Sequence, residues 1–169
     1  MSEATKGFTL IELLVVIGLI LFFSALIFPN FNFGEKNLAL ERSSAKLVQD
    51  LRRAQEMAMS AKKFTGAPGT FKGAYGIYFV KDSLNYILFA DLDDDQVLDS
   101  GEAIETLVLE KKVKISDLLP SSPLVITFTP PNPTTKINPS SGPPDMIILT
   151  NDIRTKNIRV NKAGLVYTE

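Results

Sequence analysis

The sequence predicts an α+β chain in which one long amino-terminal helix, transmembrane in its first half and amphipathic in its second, packs on an antiparallel β-sheet. Three observations predict it. From Phe8 to Phe28, 21 residues carry a single ionisable side chain, and at about 1.5 Å of helical rise each they span about 31 Å, the thickness of a bilayer core. From Leu38 to Lys63, apolar and small residues recur at spacings of three and four. Beyond them, short β-branched or aromatic runs alternate with turn residues. The predicted segments are a short polar leader over 1–7, a membrane helix over 8–28, its amphipathic continuation over 29–64 and a β-rich extracytoplasmic domain over 65–169.

The leader carries Lys6 against the apolar run and lacks the apolar region and small-residue cleavage site of an ordinary secretory signal. Its removal would have to occur on the cytoplasmic side. The lone charge of the apolar run is Glu12. A carboxylate in hydrocarbon costs on the order of 3 kcal/mol, so it is paired or functional. A plain single-pass anchor with Glu12 snorkelling to the head groups is the alternative, but it explains neither the short leader nor the Gly-Phe junction. A buried soluble helix fits worse, because the run has no polar face to turn outward.

The run Lys6-Gly7-Phe8-Thr9-Leu10-Ile11-Glu12-Leu13 closely resembles the class III signal of type IV prepilins and type II secretion pseudopilins. The resemblance implies that a prepilin peptidase in the membrane cuts after Gly7 and methylates the new amino-terminal Phe8. It also implies that Glu12, fifth in the mature chain, is matched with the terminal amine of a neighbouring pilin or pseudopilin subunit during filament assembly.

Pro29 ends the apolar run, and Asn30-Phe31-Asn32-Phe33-Gly34 continues with poor helix formers and two aromatics suited to the membrane interface. A kink or local unwinding is expected there; the resembled family has a proline near this point too. Leu40, Ser44, Leu47, Leu51, Ala54, Ala58 and Ala61 then form one stripe, with Met57 and Phe64 adding bulk. The stripe is narrow and Ala-rich, which suits close packing on a sheet. A coiled coil is the alternative, but the run falls short of four heptads. Within it, Asp50-Leu51-Arg52-Arg53-Ala54-Gln55-Glu56-Met57-Ala58 resembles the corresponding helix of H-type pseudopilins and related minor pilins.

Gly66, Pro68, Gly69 and Gly73 make a loop after the helix. Strands are predicted at Tyr75 to Val80, Asn85 to Ala90, Ile104 to Leu109, Leu124 to Thr129, Met146 to Thr150 and Asn157 to Val160. Asp82-Ser83 turns the first hairpin, and Gly164 supplies a positive φ before a last strand from Leu165 to Tyr167. Thr129 to Asp145 holds six of the ten prolines and is expected to be an irregular surface loop or a partner contact.

Composition narrows the chemistry. The 169 residues include neither cysteine nor histidine, which removes disulfides, thiolate sites, Ser-His triads and the usual zinc ligands. No convergent catalytic set stands out, so the chain is expected not to be an enzyme. The formal net charge of −1 hides an asymmetry: Asp91, Asp93, Asp94, Asp95, Asp99 and Glu102 supply 6 of the 19 acids, leaving 13 against 18 basic residues elsewhere.

That window, Asp91 to Glu102, places carboxylates at loop positions 1, 3, 5, 9 and 12 with a backbone carbonyl at 7, the EF-hand spacing. Calcium is the expected ligand, bound by Asp91, Asp93, Asp95, Asp99 and Glu102 with the Val97 carbonyl. Asp94 points away at this spacing, and Gln96 stands where the EF-hand has Gly. The flanks read as strands, so the loop joins strands and not helices. A solvated acidic turn is the alternative.

Arg154, Lys156, Arg159 and Lys162 form a basic set near the carboxy terminus. Some minor pilins resembling this chain bind DNA with basic residues there, but Gly164-Leu165-Val166-Tyr167 lacks the flanking bases of that pattern. Solvated charges are the bland reading. The resulting expectation is a structural subunit, minor pilin or pseudopilin, of a type IV pilus or type II secretion filament. It would lie in the inner membrane before assembly, with its carboxy-terminal domain extracytoplasmic, and in an envelope or surface filament afterwards. The alternatives are a DNA-binding minor pilin and a membrane-anchored calcium-binding protein outside any filament.

Overall fold

The computed structural model describes residues 7–60, 63–64, 73–130, 134–139 and 145–169, apart from the side chains of 28–33. Lys6, Ala61, Gly66, Pro68, Gly69, Pro131, Pro133, Pro143 and Pro144 lie outside the described residues, as do the side chains of Pro29, Phe31 and Phe33. The architecture is α+β. The chain divides into two compact units, one ending at Glu35 and the other spanning Lys36–Glu169, with the boundary inside the helix α1 (Leu10–Met59).

In the first unit the helix starts at Leu10 and its apolar side chains are exposed. The stretch Leu10–Ile27, 18 residues with a mean hydropathy of 2.9, is long and apolar enough to cross a membrane. The unwinding expected at Pro29 does not occur, because the backbone stays helical from Leu10 to Met59. A proline removes a single N–H bond, a loss that a helix of 50 residues absorbs without a break.

The second unit holds the core. Leu40, Ser44, Leu47, Leu51, Ala54 and Ala58, the stripe read from the spacing, are all buried, Met57 with them, and Phe64 packs against the same core. Their partners are the inward residues of the strands, among them Ile77, Phe79, Leu88, Ile126, Phe128, Leu149 and Ile158. The alanines let α1 approach the strands closely, and Leu47 and Leu51 are fully enclosed. A buried leucine of this kind contributes about 1.5–3 kcal/mol relative to exposure.

Nine strands follow: β1 (Ala74–Phe79), β2 (Asn85–Asp91), β3 (Ala103–Val108), β4 (Lys114–Leu119), β5 (Leu124–Thr129), β6 (Thr134–Asn138), β7 (Met146–Thr150), β8 (Thr155–Val160) and β9 (Val166–Thr168). They form two antiparallel sheets and not the single one expected, in the orders β3-β2-β1-β5-β6 and β4-β7-β8-β9. Two strands escaped the sequence. β4, Lys114-Ile115-Ser116-Asp117-Leu118-Leu119, has no clean alternation because a bulge between Ile115 and Asp117 shifts its register on β7. β6 sits inside the proline-rich stretch expected to be irregular, but its five residues contain no proline, and it lies at an edge of its sheet, where flanking prolines cost no ladder bond.

The opposite edge, β3, is closed by α1. Ser43 Oγ accepts from the Glu110 N–H at 3.1 Å, and Lys46 Nζ donates to the Val108 carbonyl at 3.2 Å. On the face of the five-stranded sheet turned from the helix, Gly76 lies opposite Phe89 and Thr127, and Tyr78 lies opposite Ile87 and Val125. A Cβ at Gly76 would stand 2.6 Å from Thr127 Cγ2 and 2.8 Å from the Ile126 carbonyl, so glycine is what lets Phe89 and Thr127 close over this strand. The acidic loop leaves β2 on this outer face.

Candidate functional site

Three groups of residues were singled out from the sequence, and the structure treats them differently. At the amino terminus, Gly7, Phe8 and Thr9 precede the helix, and Phe8 is 87 % exposed. Thr9 is the N-cap. Glu12 Oε2 accepts from the Thr9 N–H at 2.9 Å and from the Thr9 hydroxyl at 2.8 Å, while Thr9 Oγ1 accepts from the Glu12 N–H at 3.3 Å. This is a reciprocal capping box, and its signature, Thr followed three residues on by Glu, was present in the sequence but was not read there. The carboxylate is thereby tied to the first turn of the helix, which starts two residues after Phe8.

In the acidic loop, ligand oxygens of Asp91, Asp93 and Asp95 lie within 4.8 Å of one another. Asp91 is fully buried: its Oδ1 accepts from the Asp94 N–H at 2.8 Å and its Oδ2 from the Gln96 N–H at 3.2 Å. Burial pushes the Asp91 carboxyl up, the two N–H donors pull it down, and the Glu102 and Asp94 charges push it up again. Gln96 adopts a φ of 63°, the left-handed conformation that the EF-hand assigns to glycine at this position. That costs a non-glycine residue on the order of 1 kcal/mol.

Asp99 and Glu102 do not join the three-carboxylate group. Glu102 is buried and closes the base of the loop, its Oε1 accepting from the Leu92 N–H and its Oε2 from the Asp99 N–H, both at 2.8 Å. The residue at the twelfth position thus holds the loop shut, as Asp91 does at the first. Val97 donates its N–H to Asp95 Oδ1 at 2.7 Å. Asp94 turns away, as its position predicts, and reaches Lys136 on β6. Asn138 Nδ2 adds a bond to the Gln96 carbonyl at 3.2 Å, so the loop is fastened to the edge strand at two points. Three clustered carboxylates on a fastened loop offer hard oxygen donors of the kind calcium takes.

The basic set is not a free patch. Lys156 pairs with Glu41 at 3.1 Å and Arg159 with Glu169 at 2.9 Å. Lys162 stands near Asp145, whose carboxyl is pushed up by burial and pulled down by that lysine. Arg154 lies apart on the β7–β8 turn. Between the acidic loop and the β4–β5 connection, a cleft of about 290 Å³ opens on the outer face over Tyr78 and Val125. No single motif announces it, since its walls come from four separate segments.

Compared with known protein families, curated proteins and solved structures, the chain matches none.

Proposed function

We propose that this chain is a structural filament subunit, a minor pilin or pseudopilin of a type IV pilus or type II secretion filament. A prepilin peptidase would cut it after Gly7. The observation that carries the reading is the amino-terminal arrangement: an unwound Gly7-Phe8 junction leading into an apolar Leu10–Ile27 span whose one carboxylate, Glu12, sits in the first turn. In hydrocarbon that carboxylate needs a positive partner, and the amine freed on Phe8 of an adjacent subunit has the right charge and depth. The second unit, with its own core, would be the extracytoplasmic part. Mass spectrometry of the mature amino terminus tests the reading. A methylated Phe8 is expected, and an intact Met1 or a cut beyond Ser24 in a competent host would overturn it.

A second role is favoured by the clustering of Asp91, Asp93 and Asp95: the exported domain binds one calcium ion on that loop. DNA binding is less favoured, because Lys156 and Arg159 are engaged with carboxylates.

A further inference from the structure

The β7–β8 turn is a fixed knob. Asn151, fully buried, accepts from the Ile153 N–H at 3.0 Å and the Arg154 N–H at 2.7 Å through Oδ1, and its Nδ2 donates to the Lys36 carbonyl of α1 at 2.8 Å. Thr150 Oγ1 accepts from the Asp152 N–H and donates to the Arg154 carbonyl. On this backbone Ile153 is 44 % exposed, and the exposed Arg154 has no carboxylate within ion-pair distance among the described residues. A large apolar side chain and a cation thus project side by side from a turn that loses little freedom on binding.

The cleft on the outer face of the five-stranded sheet has the opposite character. Tyr78 and Val125 form its floor, and Pro123, Pro139 and Val97 stand in its walls. Asp95 accepts from the N–H of that same Val97, which puts a carboxylate on the rim, and the exposed Asp93 and Asp99 belong to the same loop. Of the six acids in the window, Asp94 is neutralised by Lys136. With one divalent cation bound as well, an excess of three negative charges remains. With Lys136 already counted against Asp94, the rest of the chain has an excess of four positive charges, 17 basic residues against 13 acidic.

We propose that the cleft of one copy receives the β7–β8 turn of a second copy, Ile153 entering over Tyr78 and Val125 and Arg154 meeting the carboxylates on the rim. Hole and knob belong to different sheets. A contact between unlike surfaces leaves each copy with one free cleft and one free turn, and where the rotation does not close it propagates as an open filament. The inference rests on the filament reading and adds a contact which that reading does not contain.

The chain has no cysteine, so paired cysteines report the contact directly. The full-length Val97→Cys/Ile153→Cys chain, oxidised in the membranes of producing cells, should give a ladder of dimers, trimers and higher species that collapses on reduction. Mixed single variants should give only dimers, and only when both are present. Adding Arg154→Glu should remove the ladder. If an amine-reactive cross-linker traps multimers in the same membranes but the cysteine ladder is missing, this contact is wrong and the filament reading survives. If neither reagent traps a multimer, both fail. Dimers of Val97→Cys alone would mean a symmetric contact, and Val97→Cys joined to a different protein would mean a foreign occupant; either overturns the proposal.

Discussion

Lys136 Nζ on β6 lies 2.7 Å from each carboxylate oxygen of Asp94, across 42 residues of sequence. This pair turns the acid at the fourth position of the loop away from the group formed by Asp91, Asp93 and Asp95, and fastens the loop to the edge strand. Both side chains are about 30 % exposed, so the pair contributes on the order of 1 kcal/mol or less.

The pair gives Asp94 a structural effect separable from calcium. Asp94→Ala should lower the melting temperature slightly and equally in calcium and in chelator. Asp93→Ala should abolish the difference between the two conditions, which at a hundredfold excess over Kd corresponds to about 2.7 kcal/mol. Equal melting of the unchanged chain with and without millimolar calcium would reduce the loop to an acidic turn.

Tyr86 donates its hydroxyl to Asp50 Oδ2 at 2.6 Å, with both residues buried between β2 and α1. Burial, then the Asp50 carboxylate, pushes the Tyr86 phenol well above its ordinary value of 10.0. A group whose folded value is raised stabilises the fold fully below its unfolded value and loses that contribution as pH rises beyond it. Unfolding free energy should therefore fall as pH climbs above about 10, with the Tyr86 tyrosinate absorbance emerging only as the chain unfolds. Tyr86→Phe should remove that phase of the loss and cost about 1–3 kcal/mol at neutral pH, since Asp50 is left buried without its donor.

Gly164 has a φ of +79° in the β8–β9 turn, and a Cβ there would stand 2.6 Å from Gln55 Nε2 on α1. Gly164→Ala should destabilise by about 1–2 kcal/mol through the left-handed backbone alone. The amide of Gln55 can swing aside, so Gln55→Ala in the same background should recover only the contact part. A urea midpoint unchanged by Gly164→Ala would contradict the strain.

Glu12 has two separable duties. Glutamine serves as well as glutamate in a capping box, so Glu12→Gln should keep the helix start while removing the charge. Glu12→Gln is expected to insert in the membrane and to assemble poorly, whereas Thr9→Val should cost about 1 kcal/mol of helix capping and leave the charge in place. Filaments of Glu12→Gln as abundant as wild type would show that the carboxylate's charge is not what assembly uses.

The helix was legible because its signals are local and repeated: the stripe from Leu40 to Ala58 is buried as its spacing predicts. Most strand centres were legible for the same reason, with ends that move by one or two residues. The division into two sheets was not, because it depends on pairings such as β4 with β7, from Lys114 with Thr150 onward, that no short window contains. Within the acidic loop, spacing identified Asp91, Asp93 and Asp95 and turned Asp94 outward. It could not show that Glu102 would also accept from the N–H groups of Leu92 and Asp99, since a ligand position and a loop staple look alike in sequence. The cleft over Tyr78 was invisible, being assembled from distant segments.

The bond from Asn151 to the Lys36 carbonyl also has a mechanical meaning. Lys36 is the first residue of the second unit, inside the unbroken α1. A pull along the helix axis enters the folded domain at that residue, where it meets a buried amide whose nitrogen holds the Lys36 carbonyl and whose oxygen secures the β7–β8 turn. Load would pass into the four-stranded sheet through a side chain before it reached the leucines behind. Asn151→Ala should leave a domain that folds but yields at lower force.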